Sequence, residues 1–341
     1  MLPLLRTALR VTDSGPQSDV LTLVKVLSVK ISVAELPDSI GDLSGLIKLD
    51  LAECARLTIL PSSIGRLTAS TALKLIGCDQ LTALPDSVGQ LSALTYLNLS
   101  YCTRLTSLPE SIGDRAALTE LVVCHCRLQT LPESIGNLAS LTELDMHLCG
   151  NLARLPDSVG ALSALTALDL TYNKELTGLP DSFANLAALT YLDLSCCTKL
   201  ASLPESIGRL SALTQLELIE CVVLQRLPDC VGDLQALTSL NLDGCTRLTT
   251  LPDSIGNLKA LRCLNLRLCT ELSQLPDSIG NLAALRYLIL AGCSGLVSLP
   301  ATLGQLPLLQ HIQVDGCCEL VRTSAATFTG RALTHPNDSG K

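Results

Sequence analysis

Pro85 to Leu108 reads PDSVGQLSALTYLNLSYCTRLTSL, and units of this form recur along almost the whole chain. Leu-Pro dipeptides place prolines at 37, 61, 85, 109, 132, 156, 180, 204, 228, 252, 276 and 300, every interval being 24 residues except the 23 from 109 to 132. Counted from each proline, apolar residues return at +3, +6, +9, +12, +14, +20 and +23. The alternation Leu97-x-Leu99 within LTYLNL is the period-two sign of a short strand with one buried face. A strand every 24 residues, always in the same sense, predicts a parallel sheet. The segment PDSVGQLSAL is then the return path, with Pro85 setting an extended entry. Ser87 is expected to cap a helical turn and Asp86 to favour the positive end of its dipole. Gly89 and its counterparts mark a backbone position that no larger residue fits. Each unit is thus one turn of a coil, with a strand on one side and a short helical or 3-10 segment on the other. Repeats of this kind grow by stacking neighbours, so the 341 residues need not be divided into ordinary globular domains.

Composition agrees with such a coil. Hydrophobic residues make up 48% of the chain but aromatics only 2%, and tryptophan is absent, so the core must be filled mainly by leucine. The excess of 32 acidic over 24 basic residues gives a net charge of −8, which argues against a nucleic-acid partner and suits a basic protein surface. No apolar run approaches a membrane span. The N-terminal MLPLLRTALRVTDSGPQ is interrupted by Arg6 and Arg10 and does not read as a secretory signal.

Eleven of the sixteen cysteines fall at +17: Cys54, Cys78, Cys102, Cys126, Cys149, Cys197, Cys221, Cys245, Cys269, Cys293 and Cys317; the twelfth register has Asn173. A small side chain with a donor, sitting inside the turn and bonding backbone where the strand ends, meets that need in either form. A column of inward thiols is structural rather than disulfide-paired, which predicts a reducing, cytoplasmic setting.

On these residues the pattern LPDSIGNLxALxxLxLxxCxxL, as in Leu251 to Leu272, resembles the cysteine-containing leucine-rich repeats of plant nucleotide-binding disease-resistance receptors of the Toll/interleukin-receptor type. The resemblance covers about residues 20–322. It implies an α/β fold, a right-handed leucine-rich repeat solenoid or horseshoe. A parallel concave sheet would contact ligands or a receptor's other domains, with short helical or 3-10 segments on the convex side. No GxxxxGK[ST] phosphate loop occurs in the chain. The expectation is therefore either a free-standing repeat protein or a detached receptor-like piece.

The domain reading is a poorly ordered segment 1–19, a repeat domain 20–322 and a polar tail 323–341. Residues 21–36 are a degenerate capping repeat, and Pro307 should weaken the last return turn. The 23-residue unit collects several departures: Arg115 replaces Leu at +6, Val122 makes an outward strand position apolar, and Cys124-His125 follow. Drift in a duplicated repeat and a local kink serving a partner are both open readings. Arg115 is expected to lay its stem along the surface with its head in water. Phe183 and Ala184 replace the usual Ile and Gly as a volume exchange.

With the leucines committed to the core, function is expected at the outward positions +11, +13, +15 and +16. All five tyrosines fall there: Tyr96, Tyr101, Tyr172, Tyr191 and Tyr287. Tyrosine is enriched at interface hot spots, although cross-strand stabilisation of a sheet would also place it so. The +13 column brings Asp145, Asp169, Asp193 and Glu217 abreast, with Glu120, Glu143 and Glu220 near them. Like charges abreast cost folding energy, and a partner presenting Lys or Arg would offset the cost; a solvated, solubilising face is the other reading. His125 and His147 complete the candidate partner-binding set.

Cys124, His125, His147 and Asp145 are near neighbours in such a sheet, but they show no CxxC or HExxH spacing. Calcium on Asp145, Asp169 and Asp193 would lack wrap-around ligands, and an open sheet does not enclose a catalytic pocket. The sequons at Asn98 and Asn337 would matter only in a secreted protein. The expectation is accordingly no catalytic residue, no cofactor and no metal. The chain reads as a monomeric scaffold recognising a protein partner, in a defence or signalling context, without nucleic acid or membrane. The alternatives are the ligand-sensing fragment of a larger nucleotide-binding receptor and a metal-dependent hydrolase.

Overall fold

The computed structural model describes residues 24–328, so the expectations for 1–19 and 329–341 lie outside the described residues. Two compact units divide at Leu165/Thr166. The first holds six strands: β1 (Val26–Ser28), β2 (Lys48–Asp50), β3 (Ala72–Lys74), β4 (Tyr96–Asn98), β5 (Glu120–Val122) and β6 (Glu143–Asp145). The second holds seven: β7 (Ala167–Asp169), β8 (Tyr191–Asp193), β9 (Gln215–Glu217), β10 (Ser239–Asn241), β11 (Cys263–Asn265), β12 (Tyr287–Ile289) and β13 (His311–Gln313). A helix, α1 (Glu319–Phe328), follows them. Within each unit, successive strands pair in parallel with repeat position facing repeat position, as in Leu97↔Leu121 and Leu240↔Leu264. Pairing β1 to β2, with Leu27 opposite Leu49, places the described part of the irregular stretch, from residue 24, at the sheet edge as a cap.

The core is the expected leucine stack. Leu91, Leu94, Leu97, Leu99 and Leu105 of one unit are all at most 1% exposed, and the same columns are buried in most other repeats, Arg115 and Leu309 being half-buried exceptions. Each strand is only three residues long, so +15 and +16 lie in the turn that follows the strand and not in the strand itself. All twelve +16 residues are left-handed. Four are glycines (Gly77, Gly244, Gly292, Gly316), and eight are not, with φ between 56° and 61°: Glu53, Tyr101, His125, Leu148, Tyr172, Cys196, Glu220 and Leu268. The twist has a use. It aims the +16 N–H at the carbonyl of the next repeat, as in Tyr101 N–H to Cys124 O at 2.9 Å and Glu220 N–H to Asp243 O at 2.7 Å. The backbone ladder therefore continues past the strand end.

The cysteine column behaves as expected of an internal donor. Each thiol donates across to the +14 carbonyl of the preceding repeat: Cys102 Sγ to Leu75 O at 3.3 Å, Cys245 Sγ to Leu218 O at 3.1 Å, Cys293 Sγ to Leu266 O at 3.0 Å. Asn173 donates its amide to Leu170 O at 2.8 Å. Burial pushes the thiols of Cys78, Cys102, Cys149, Cys197, Cys245 and Cys293 up to about 12. Since the thiolate is the reactive form, a native chain at pH 8 should be labelled by a thiol reagent first at the half-buried Cys230, Cys263 and Cys318. The column cysteines should label only on unfolding, when all sixteen react. Peptide mapping after brief labelling checks this, and early labelling of Cys221 or Cys245 would contradict it.

A second ladder escaped the sequence reading. Threonines at +10 donate to the carbonyl one repeat back, as in Thr95 Oγ1 to Thr71 O at 3.1 Å, Thr119 to Thr95 at 3.0 Å and Thr214 to Thr190 at 2.9 Å.

The return segments are 3-10 turns, and here the capping expectation needs correction. Pro85, at φ −71° and ψ 150°, is itself the N-cap of Asp86–Gln90, and its carbonyl accepts the Val88 N–H at 3.0 Å. Ser87 makes no cap hydrogen bond; its hydroxyl is buried without a partner, as are those of Ser63, Ser111, Ser134, Ser158, Ser182, Ser206, Ser254 and Ser278. Serine stands there because the space is small: its Cβ and carbonyl pack directly against the glycine of the preceding repeat.

Three local departures have physical causes. Ala184 puts a methyl where other repeats have glycine, and the following 3-10 segment is shortened to Ile207–Arg209. The turn before Pro307 survives as Ala301–Gln305, but the residue that caps its C-terminal end, Leu306, swings to an extended ψ of 112° because a residue preceding proline is pushed toward extended backbone. Arg115 is half-buried, and its Nε is buried without a partner, so the guanidinium base is more enclosed than a surface-lying stem requires. The polar-tail expectation fails for 323–328. These residues complete α1, whose Val321 and Ala325, four apart on one face, are fully buried and cover the last coil.

Candidate partner-binding face

The outward positions of the strands and of the turns after them form one surface in each unit. In the first, β4 to β6 bring Tyr96, Glu120 and Glu143 abreast at +11. Lys74 stands 5.6 Å above the Tyr96 ring, and Asn98 donates to the Tyr96 hydroxyl at 2.8 Å. In the turn, Tyr101 stacks on His125 with ring centroids 4.1 Å apart, and His125 meets His147 edge-on at 5.4 Å. His147 Nδ1 lies 2.7 Å from Asp145 Oδ1. The thiol of Cys124 closes the group: its sulfur, an Asp145 oxygen and an His147 nitrogen lie within 4.8 Å of one another.

In the second unit, Asp169, Asp193 and Glu217 hold facing register positions on β7 to β9. The column of four carboxylates is thus divided, with Asp145 ending β6 of the first unit. Tyr191 donates its hydroxyl to Asp193 Oδ2 at 2.9 Å. At +16, Cys196 donates to Glu220 Oε2 at 3.6 Å and Tyr172 bonds the same thiol. Tyr287 stacks on His311 at 5.3 Å. Tyr101, Tyr172 and Tyr287 are exposed, whereas Tyr96 and Tyr191 are half-buried by their neighbours.

The acidic column has a structural task that the sequence reading missed. Asp145 and Asp193 each accept, through Oδ1, the backbone N–H two residues on, at 3.1 and 2.8 Å. Asp169 does the same for Thr171 at 2.8 Å and also takes its hydroxyl. Asn98, Asn241 and Asn265 make the identical bond. Any Asp or Asn at +13 therefore closes the strand end. The interchange of the two residue types in that column was the available signal.

Crowding shows in the titration of two glutamates. Burial, then Glu143 and Asp145, push the Glu120 carboxyl above its usual range against Lys74. Glu217 is raised by burial and by Asp193, opposed by a hydrogen bond from Asn241. A carboxyl raised by folding holds its proton to a higher pH in the folded chain than in the unfolded one. The stability it contributes is complete below the ordinary carboxylate pKa and is lost as pH rises through the raised value. Glu120→Gln and Glu217→Gln should each stabilise the chain by roughly 0.5 kcal/mol at pH 7. The gain should disappear below about pH 4; urea midpoints across that range decide it, and a gain that persists in acid would refute the charge explanation.

Separate stretches of the chain match four repeat models: a leucine-rich repeat region over 180–268, the leucine-rich repeats of RPS4B-like disease resistance proteins over 18–92, and two leucine-rich repeat models over 148–198 and over 93–114 with 117–138. The chain is a leucine-rich repeat protein. No curated protein matches it. Among solved structures, the leucine-rich repeat domain of the type III effector XopL is 28% identical with a TM-score of 0.50, over 71% of this chain and 75% of that one. The leucine-rich repeat protein LIC12759 of Leptospira interrogans is 26% identical with a TM-score of 0.49, over 94% and 99%. The functional domain of InlJ from Listeria monocytogenes, which includes a cysteine ladder, is 23% identical with a TM-score of 0.50, over 88% and 57%.

Proposed function

We propose that this repeat protein is a non-enzymatic recognition scaffold that holds a basic protein surface against the outward face of its strands. The observation that carries the reading is the concentration of tyrosines and carboxylates on the outward face of each unit, Tyr101 with Glu120 and Asp145 in the first and Tyr172 with Asp169 and Asp193 in the second. Tyr101 and Tyr172 stand there in left-handed turns that glycine would fill at lower strain. Aromatic anchors beside uncompensated acids suit a partner with Lys and Arg. Leucine-rich repeats commonly serve protein recognition without catalysis, and the thiol of Cys196 on this face is raised, the reverse of an activated nucleophile. Sixteen cysteines with no disulfide among them support a reducing, cytoplasmic setting. The RPS4B-like match over 18–92 favours a defence-type role and a second reading, the ligand-sensing part of a larger receptor.

The test is the triple substitution Asp145→Asn, Asp169→Asn and Asp193→Asn. Asparagine keeps the strand-end hydrogen bond, as Asn98, Asn241 and Asn265 show. Thermal unfolding should therefore be unchanged or slightly later. Capture of a basic-surfaced partner, identified with the unsubstituted chain, should fall at least tenfold. Capture that survives in a folded triple variant would overturn the acidic-face reading.

A further inference from the structure

Two of the chain's four histidines, one of the few cysteines outside the +17 column and an aspartate meet in the irregular repeat and its successor. Cys124 and His147 both occupy +15, in the turns that follow β5 and β6. Other repeats put Ala52, Ile76, Ser100, Thr171, Ser195, Ile219, Asp243, Arg267, Ala291 or Asp315 at that position, none of them a cysteine or histidine. The two ligand types are 23 residues apart in sequence, the length of the short repeat, and neighbours in space. No short-range motif announces them, because in a solenoid the repeat itself supplies the spacing.

We propose that Cys124, Asp145 and His147 form a binding site for a divalent transition-metal ion, with zinc the best fit. Their donor atoms lie within 4.8 Å of one another. Zinc bonds of about 2.3 Å to sulfur and about 2.0–2.2 Å to nitrogen and oxygen set tetrahedral donors roughly 3.5 Å apart. Small side-chain rotations close that gap. A thiolate, an imidazole and a carboxylate select zinc or a similar ion over calcium or magnesium, which take oxygen alone. The scaffold already orients the group. Asp145 Oδ1 accepts the His147 backbone N–H at 3.1 Å and lies 2.7 Å from His147 Nδ1, so the imidazole is fixed before an ion arrives.

Three protein ligands leave a fourth position open. His125 lies against His147: their rings meet at 5.4 Å and 82°, and His125 keeps a left-handed φ of 56° at a position where four other repeats use glycine. Binding must displace the Cys124 thiol proton, so affinity rises with pH. The site goes beyond the recognition reading and stands whether or not the acidic face binds a basic partner.

The test uses the full chain, kept reduced and freed of metal with a chelator, then titrated with cobalt(II) and challenged with zinc. The expected result is one equivalent of cobalt giving thiolate-to-metal charge-transfer absorption in the near ultraviolet, displaced by one equivalent of zinc. Cys124→Ser should abolish that absorption, His147→Gln should weaken binding at least ~10-fold, and Cys196→Ser should leave both unchanged. Absence of the band in the unsubstituted chain, or its survival in Cys124→Ser, would overturn the proposal. Should Cys124→Ser fail to fold by circular dichroism, His147→Gln decides alone: its side chain is only half-buried, and undiminished cobalt affinity there is equally fatal.

Discussion

Phe183→Ala is expected to lower the stability of the chain by ~3–5 kcal/mol, the largest effect of any single truncation. Phe183 is fully buried and is the largest such side chain among the described residues. The corresponding residue elsewhere is smaller: Ile40, Ile64, Val88, Ile112, Ile135, Val159, Ile207, Val231, Ile255, Ile279 or Leu303. The surrounding coils are thus built around a volume that alanine cannot fill, and a cavity inside a stack of leucines stays empty. Phe183→Ile, which restores the common residue, should cost less than half as much. Denaturant unfolding followed by circular dichroism reads both variants. Equal losses would mean that the aromatic ring matters for more than its volume.

The second large effect should come from adding atoms. Gly256→Val is expected to cost about 3 kcal/mol, at the upper end for an overpacked site. A Cβ there would stand 2.3 Å from the carbonyl oxygen of Ser278 and 2.8 Å from its Cβ. Neither group is a flexible side-chain end; both belong to the backbone of the next 3-10 turn and its first carbon, so the turn itself must move. The chain shows what such movement looks like. Ala184 occupies the equivalent place, and the turn that follows it loses two residues of 3-10 structure. Valine, with two further methyls, exceeds that accommodation. Because repeats touch only their neighbours, exchange-protection losses should centre on 253–281 and leave β1 to β4 untouched. Uniform loss along the chain would contradict nearest-neighbour stacking.

Much of the architecture was legible from residues such as Leu97, Leu99 and Cys102, because a strict 24-residue period leaves one way to stack. What was missed is instructive. Ser87 was read by its general preference for caps, but the proline before it had taken that role, and serine remained as a small residue. The left-handed turn at +16 was signalled by Gly77, Gly244, Gly292 and Gly316, which share one register. The residues set among them, such as Tyr101 and Glu220, disguised it. Asp145 and Asp193 looked like pure surface charge because their use as strand-end acceptors becomes plain only beside Asn98 and Asn241. The helix at 319–328 carried its own small sign, Val321 and Ala325 four apart, easily lost in a stretch rich in Ser and Thr. Cys124, Asp145 and His147 were legible as neighbours from the repeat register, but the absence of a CxxC or HExxH spacing hid how closely their donor atoms converge.

The left-handed column has a bearing on anyone who wishes to make this protein hardier. Eight non-glycine residues sit where glycine would relieve about 1 kcal/mol of strain apiece. An engineer ranking positions by thermal gain alone would convert them first. The product would be a tougher chain with Tyr101, Tyr172, His125 and Glu220 removed from the face proposed for recognition. A mutational scan scored for folding and for binding separately should find the two rankings in opposition along this one column.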